Sequence, residues 1–175
     1  MTTPSPRRRP GSLRPLIWAV AISVVALDQA TKAWSLATLT HGSVRSLLPQ
    51  LLQLRLVANT GAAFSMLSDS TMALALVSLL VSLVLLAWIQ FRTPSGRWLA
   101  LAAGLLLGGA IGNGIDRWRL GWVVDFLEFV PVRFPVFNIA DVAINAAVLC
   151  LLIDQLRLSL KGGEADARGA GRSDG

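Results

Sequence analysis

Four apolar runs constrain this chain more than any other feature of its sequence. Each has about the 20 residues that an α-helix needs to cross a hydrocarbon layer ~30 Å thick. Overall, 54% of the residues are hydrophobic and only 15% are charged, whereas about a quarter of a typical soluble domain is charged. We therefore predict an α-helical polytopic membrane protein with four spans. Their predicted bounds are 16–35, 70–91, 98–115 and 138–157.

The positive charges predict how these spans are oriented. Arginine and lysine concentrate in residues 1–15, in the short 91–97 connection and in residues 158–175. Because cytoplasmic loops carry an excess of these residues, we expect both termini in the cytoplasm and the 36–69 and 116–137 connections outside. Both tails are polar and low in complexity, and we expect them to be disordered. The net charge of +6 thus reflects membrane orientation, and nucleic acid is not an expected partner.

The first apolar run has an alternative interpretation as a cleaved signal peptide, since Arg7, Arg8 and Arg9 precede it. No small-residue cleavage site clearly ends the run, and Asp28 and Lys32 interrupt its far end. We therefore interpret it as a retained span.

Polar residues of three spans converge on one side of the membrane. With the predicted orientation, all of them lie at the outer leaflet. Ionisable residues within spans usually face the bundle interior or a wet cavity and are functional candidates. The alternative is that they cap helix ends or extend to the interface, which we favour for Lys32 and keep open for Asp116 and Arg117. The converging residues are Asp28, Gln29, Lys32, Asn113, Asp116, Arg117, Asn138, Asp141 and Asn145.

The third span carries a repeat of small residues. Gly104, Gly108 and Gly112 recur every four residues. Such a face lets membrane helices approach closely, so we expect tight packing of this span and close neighbours at its outer end.

The external connections predict a small β-layer. Leu52, Leu54 and Leu56 alternate with polar residues, which is typical of a half-buried strand. A turn signal with Asn59 and Gly61 follows. Aromatic residues in the 116–137 connection suit the membrane interface.

The chemistry of the polar cluster points to two carboxylates. Two acids held close together share a proton, so that one can activate water while the other polarises a carbonyl. Asp125 and Asp141 are the natural pair, and Asp116 remains an alternative partner. His41 and Cys150 are the only histidine and cysteine, which leaves no Cys/His pair and no typical metal cluster. We expect no cofactor.

Five segments carry a resemblance to a known family. They stand in the family's order in a four-span chain, and the resemblance covers roughly residues 16–157. The chain resembles lipoprotein signal peptidase, the type II signal peptidase of bacteria, a membrane aspartic protease. The segments are DQATK (28–32), NTGAAFS (59–65), GGAIGNGIDR (108–117), VVDF (123–126) and FNIADVAIN (137–145).

The resemblance implies a site and a substrate. Asp125 and Asp141 match the catalytic pair. The family cleaves a prolipoprotein just before a cysteine that carries diacylglycerol, at the outer leaflet of the bacterial cytoplasmic membrane. Its fold has four membrane helices, a small external β-layer and a loop helix. Nothing in the sequence requires more than a monomer. The polar substrate-site positions that match are Asn59, Arg117, Asn138, Asn113 and Asp28, with Asp28 in a supporting role.

Three other hypotheses predict different features. An ion-coupled carrier would place its acids near the bilayer midplane, often within an internal repeat, and no repeat is visible here. A signal peptidase with a Ser/Lys pair has only Lys32 and Ser35 as candidates. A non-enzymatic assembly subunit would be held by the glycine face of the third span.

Overall fold

A computed structural model describes residues 12–61, 71–92, 94 and 96–170, with side chains of the last helix described to Leu160. Four helices in these residues are long and apolar enough to cross a membrane, which confirms the predicted fold class. The elements in chain order are α1 (Arg14–Thr38), β1 (Val44–Leu48), β2 (Leu52–Asn59), α2 (Thr71–Phe91), α3 (Arg97–Leu120), β3 (Val123–Phe129) and α4 (Ile139–Ala170).

Helix α3 is the centre of the bundle and packs against each of the other three helices. Its glycines make this possible. A Cβ on Gly108 would lie 2.9 Å from the Ala21 carbonyl oxygen of α1, and one on Gly109 would lie 2.7 Å from the Ala140 carbonyl oxygen of α4. Neighbouring backbones therefore occupy the space that side chains would need. The close packing predicted for this span is confirmed.

Three helices, α1, α3 and α4, extend beyond the predicted apolar runs. The third run was expected to end at residue 115, but α3 continues to Leu120 and stops at Gly121, whose φ of 78° is left-handed. This is the usual glycine stop of a helix. Hydropathy registers where the apolar residues end, whereas the helix continues until a residue breaks it.

The last helix also continues past its predicted end. The fourth run was expected to end at residue 157, whereas α4 continues through a polar segment to Ala170. A helix that already exists adds residues without a new nucleation cost, so polarity alone does not end it. Residues 171–175 lie outside the described residues, as do residues 1–11 of the expected N-terminal tail.

The β-layer is a three-stranded antiparallel sheet in the order β1-β2-β3. The predicted strand is confirmed as β2, in which Leu54 and Leu56 are buried. Its end places Asn59 opposite Val123 of β3, which joins the connection after α1 to the connection after α3. The described residues contain no separate loop helix, and residues 62–70 of the first external connection lie outside them.

Candidate active site

The two predicted acids lie on different elements and both accept hydrogen bonds from one residue, Asn138. Asp125 is in the middle of β3 and only 1% exposed, whereas Asp141 is half-buried in the first turn of α4. Asn138, which is fully buried just before α4, contacts both. Its Nδ2 donates to Asp125 Oδ1 over 2.7 Å, and its backbone N–H donates to Asp141 Oδ2 over 3.2 Å.

Asn138 and Asp141 also cap helix α4. The Asp141 N–H donates to Asn138 Oδ1 over 2.9 Å, while the Asp141 carboxylate accepts from the Asn138 N–H. This reciprocal pair satisfies backbone donors that the first helical turn leaves free. The motif that starts the helix therefore also sets the position of the two acids.

The second amide at Asp125 comes from the end of β2. Asn59 Nδ2 donates to Asp125 Oδ2 over 2.8 Å, and Asn59 Oδ1 accepts from the Gly61 N–H over 2.8 Å. Gly61 has a φ of +97°, a conformation that favours glycine. The predicted turn after β2 thus orients the amide toward the acid.

The third amide belongs to α3. Asn113 Nδ2 donates to Asp141 Oδ1 over 2.9 Å. Its Oδ1 accepts from Asn138 Nδ2 and from Lys32 Nζ, both over 3.0 Å. Asn113 therefore links the acid on α4 to the first helix.

The position predicted for Lys32 from the sequence was wrong. We expected it to reach the interface or cap a helix end, but it is 2% exposed and bonds both Asp28 Oδ2 and Asp116 Oδ2 over 2.9 Å. Sequence shows only the i, i+4 spacing from Asp28, which is also typical of a solvated surface pair. Two further hydrogen bonds tie this cluster to the site: Asp28 accepts from the Ala140 N–H, and Asp116 accepts from the Val124 N–H. Within the cluster, Gln29 Nε2 donates to both Asp28 and Asp116.

Arg117 forms no ion pair with the neighbouring Asp116 among the described residues. Its guanidinium instead donates to Ser78 Oγ on α2 over 3.1 Å. Asn145, expected on the face of Asp141, donates to the Asp141 carbonyl. The Ser/Lys alternative also fails, since Lys32 is held by carboxylates and Ser35 donates to the Thr31 carbonyl.

A cavity of about 600 Å³ opens beside Asp141 and beside Asn59, the hydrogen-bond partner of Asp125. Asp141, Asn59 and Asn145 form its polar part, and the rest is mostly apolar. Such a site can hold an apolar ligand at one end and present polar groups at the other. The apolar lining consists of Phe134, Pro135, Val136, Phe137, Val142, Ile144, Ala146 and Leu149.

The environment of Asp125 favours its neutral form. Burial raises the pKa of Asp125 from 3.8 to about 7, and the negative charge of Asp141 adds to the effect. The amide donors of Asn59 and Asn138 oppose it. Because this pKa lies near neutral pH, Asp125 is suited to proton transfer under those conditions.

This pKa predicts how stability depends on pH. Between pH 3.8 and about 7 the folded protein holds a proton on Asp125 that the unfolded chain has lost. The stabilising contribution is complete below the lower value and is lost as the pH rises through the higher one. We expect the Tm in detergent to fall from about pH 5 to about pH 8, and to fall less in Asp125→Asn. Parallel Tm curves for the two proteins would contradict this.

Three comparisons relate the chain to known proteins. The family model described as signal peptidase (SPase) II matches residues 20–157. Lipoprotein signal peptidase of Synechococcus sp. (strain RCC307) is 55% identical over 138 residues, 78% of this chain and 91% of that protein. Lipoprotein signal peptidase of Gloeobacter violaceus is 47% identical over 143 residues, 82% and 83% of the two chains.

A solved structure described as a bacterial membrane enzyme agrees with the fold. It superposes with a TM-score of 0.75 at 30% identity, over 82% of this chain and 88% of that one. The resemblance drawn from the five segments is confirmed, which sets aside the carrier and assembly-subunit hypotheses. The chain belongs to the signal peptidase II family, the lipoprotein signal peptidases, and is an aspartic-type, multi-pass peptidase of the bacterial inner membrane.

Proposed function

We propose that this protein removes the signal peptide of diacylglyceryl-modified prolipoproteins by cutting just before the lipidated cysteine, with Asp125 and Asp141 as its catalytic dyad. The observation that carries the proposal is the pair of carboxylates on β3 and α4, which contact the same Asn138 and receive amide donors from Asn59 and Asn113. The pair adjoins the largely apolar cavity, so a peptide bond beside a lipid has room there.

In the proposed reaction, Asp141 is the base and Asp125 is the acid. Asp141 is half-buried and lines the cavity, whereas the pKa of the buried Asp125 is raised to about 7. Asp141 takes a proton from water as the water oxygen bonds to the scissile carbonyl carbon, and Asp125 protonates the carbonyl oxygen. As the C–N bond breaks, Asp141 returns its proton to the leaving amine, and Asp125 recovers its proton from the hydroxyl group.

The remaining polar residues have proposed roles around this dyad. Asn59 and Arg117 hold the peptide, since Asn59 lines the cavity and Arg117 lies at the outer end of α3. Asn138 and Asn113 orient the acids. Asp28 supports the start of α4 by accepting from the Ala140 N–H.

We further propose the placement of the enzyme in the membrane. Both termini are cytoplasmic, and the dyad acts at the outer leaflet as a monomer in contact with membrane lipid. The arginine and lysine distribution supports this orientation. Asp125 lies in the sheet and Asp141 in the first turn of α4, so both are at the end of the bundle that this orientation places outside. A substrate anchored in the outer leaflet would present its scissile bond at that depth.

The test is a gel-shift cleavage assay with purified protein in detergent. The substrates are a diacylglyceryl-modified prolipoprotein and the same protein without lipid. We expect cleavage of the lipidated form and negligible cleavage of the other, because only the lipid fills the apolar cavity beside the acids. Equal cleavage of both would reject the lipid requirement, and cleavage of neither would reject the proposed function.

A further inference from the structure

The hydrogen-bond network around the acids contains one donor group that the proposed mechanism does not use, the ammonium of Lys32. It is almost completely buried and has three acceptors: Asp28 Oδ2 and Asp116 Oδ2 at 2.9 Å, and Asn113 Oδ1 at 3.0 Å. An ammonium has three hydrogens to donate and cannot accept a hydrogen bond. Each acceptor therefore receives one undivided hydrogen.

This count determines which way the Asn113 amide points. A lysine can only donate, so the Asn113 atom that faces it must be the oxygen. The Asn113 nitrogen then faces Asp141 Oδ1, 2.9 Å away. With the amide reversed, its NH₂ group would face the ammonium and its oxygen would face the carboxylate, and both contacts would repel.

The hydrogen bond from the other donor to Asn113 Oδ1 is weaker, because that donor has fewer hydrogens than acceptors. Asn138 Nδ2 has two hydrogens and lies within reach of three acceptors: Asn113 Oδ1 at 3.0 Å, Val124 O at 3.4 Å and Asp125 Oδ1 at 2.7 Å. Its shortest contact is with Asp125. Lys32 is therefore the donor that holds Asn113 most firmly, and in a buried site of low dielectric such bonds are strong.

We propose that Lys32 is a positioning residue for the dyad: its ammonium fixes the orientation of the Asn113 amide, and that amide holds Asp141 in place for catalysis. This inference rests on the proposed function, because it takes Asp141 as one of the two working acids. Within the described residues, Lys32 itself bonds neither Asp125 nor Asp141. A lost orientation would lower kcat with little effect on KM, since misplacing a catalytic group costs about 100-fold.

The surrounding charges decide which variant tests this. Removing Lys32 alone leaves two buried carboxylates together, which is strongly destabilising. The double variant Lys32→Met/Asp116→Asn removes one positive and one negative charge, so the net charge near the dyad stays the same. The charged groups around Asp125 and Asp141 are Lys32 and Asp28 on α1 and Asp116 and Arg117 on α3.

The experiment measures kcat, KM and the pH–rate profile of folded Lys32→Met/Asp116→Asn on the lipidated substrate. We expect kcat to fall about 100-fold. KM and the pH values at which the rate rises and falls should stay unchanged. Wild-type kcat in the folded double variant would overturn the proposal. The proposal would also be overturned if the apparent pKa values of the pH–rate profile shifted while the maximal kcat stayed at the wild-type value, because Lys32 would then act only through its charge.

A second variant keeps the proposal testable if the double variant does not fold. Asn113→Asp keeps an oxygen for Lys32 but removes the amide donor to Asp141, and we expect a loss of kcat of the same order. Wild-type kcat in this variant would equally overturn the proposal. The matched control is Arg55→Gln, which breaks an ion pair with Glu128 on the exposed side of the sheet and should leave kcat unchanged.

The same assay separates the two possible failures. Wild-type protein and Asp125→Asn are run beside these variants. An inactive wild type, or an active Asp125→Asn, rejects the proposed function itself. If instead the wild type cuts, Asp125→Asn does not, and the Lys32 and Asn113 variants match the wild type, only the positioning role is rejected.

Discussion

Replacing either Asp125 or Asp141 with Asn is expected to abolish cleavage, with a loss of about 10²- to 10⁴-fold for each acid. In the proposed reaction each carboxyl group both takes and gives a proton, and an amide does neither. The double variant should be no slower than the slower single variant, because the two acids act as a unit. The measurement is the initial rate of cleavage of the lipidated prolipoprotein.

The Asp125→Asn substitution also affects stability. Both Asp125 oxygens accept from amide nitrogens of Asn59 and Asn138, so an Asn at 125 brings a third NH₂ group against one of these donors. Opposing this cost, the neutral Asn side chain avoids the free-energy penalty of burying a charged carboxylate. Folding is therefore checked by Tm before rates are compared.

Asp154→Asn is the matched control for these variants. Asp154 lies on α4 near Gly96, at the opposite end of the span from Asp141. The chemical change is identical, but no described contact joins Asp154 to the dyad, so we expect the wild-type rate. If Asp154→Asn were as slow as Asp141→Asn, loss of any carboxylate on α4 would lower the rate. The slow rate of Asp141→Asn would then no longer support a catalytic role for Asp141.

The second large effect is expected from the glycines of α3. Gly109→Ala places a Cβ 2.6 Å from Ile144 Cγ1 and 2.7 Å from the Ala140 carbonyl oxygen. The backbone atom cannot rotate away, so α3 and α4 must separate. Overpacking of this kind costs about 1–3 kcal/mol, and the separation also moves Asn113 away from Asp141. We expect a lower Tm and a lower kcat together.

Gly114→Ala provides the comparison on the same helix. Its Cβ would meet only Ser78 Cβ at 3.4 Å, an ordinary contact. We expect a Tm and a rate close to those of the wild type. Similar losses in Gly109→Ala and Gly114→Ala would show that the general cost of changing a glycine in this helix, and not the distance between α3 and α4, determines the effect.

The helical bundle could be predicted because its signals are local. A run of about 20 apolar residues predicts a span without knowledge of its neighbours, and glycines every four residues predict a close contact. The convergence of Asn113, Asn138 and Asp141 also follows, since the end of one span and the start of the next lie on the same side of the membrane. The structure does bring these residues into one network.

The environment of Lys32 could not be predicted in this way. Its partners Asn113 and Asp116 are on another helix, 81 and 84 positions later in the chain, and no local pattern links them. Asp28 and Lys32 alone have the spacing of a surface ion pair. Similarly, the polar residues after Arg157 suggested that the helix ends there, although polarity does not determine where a helix ends. The catalytic roles of Asp125 and Asp141 remain predictions.

The distribution of the site over the chain has a consequence for biogenesis. Asp125 depends on β2 for Asn59, while Asp141 depends on α3 for Asn113 and on its own helix cap. A nascent chain whose last span has not yet inserted has not yet brought Asp141 beside Asn138 and Asn113. With the proposed dyad, such a chain cannot cut any substrate, and completion of the fold is itself the activating step.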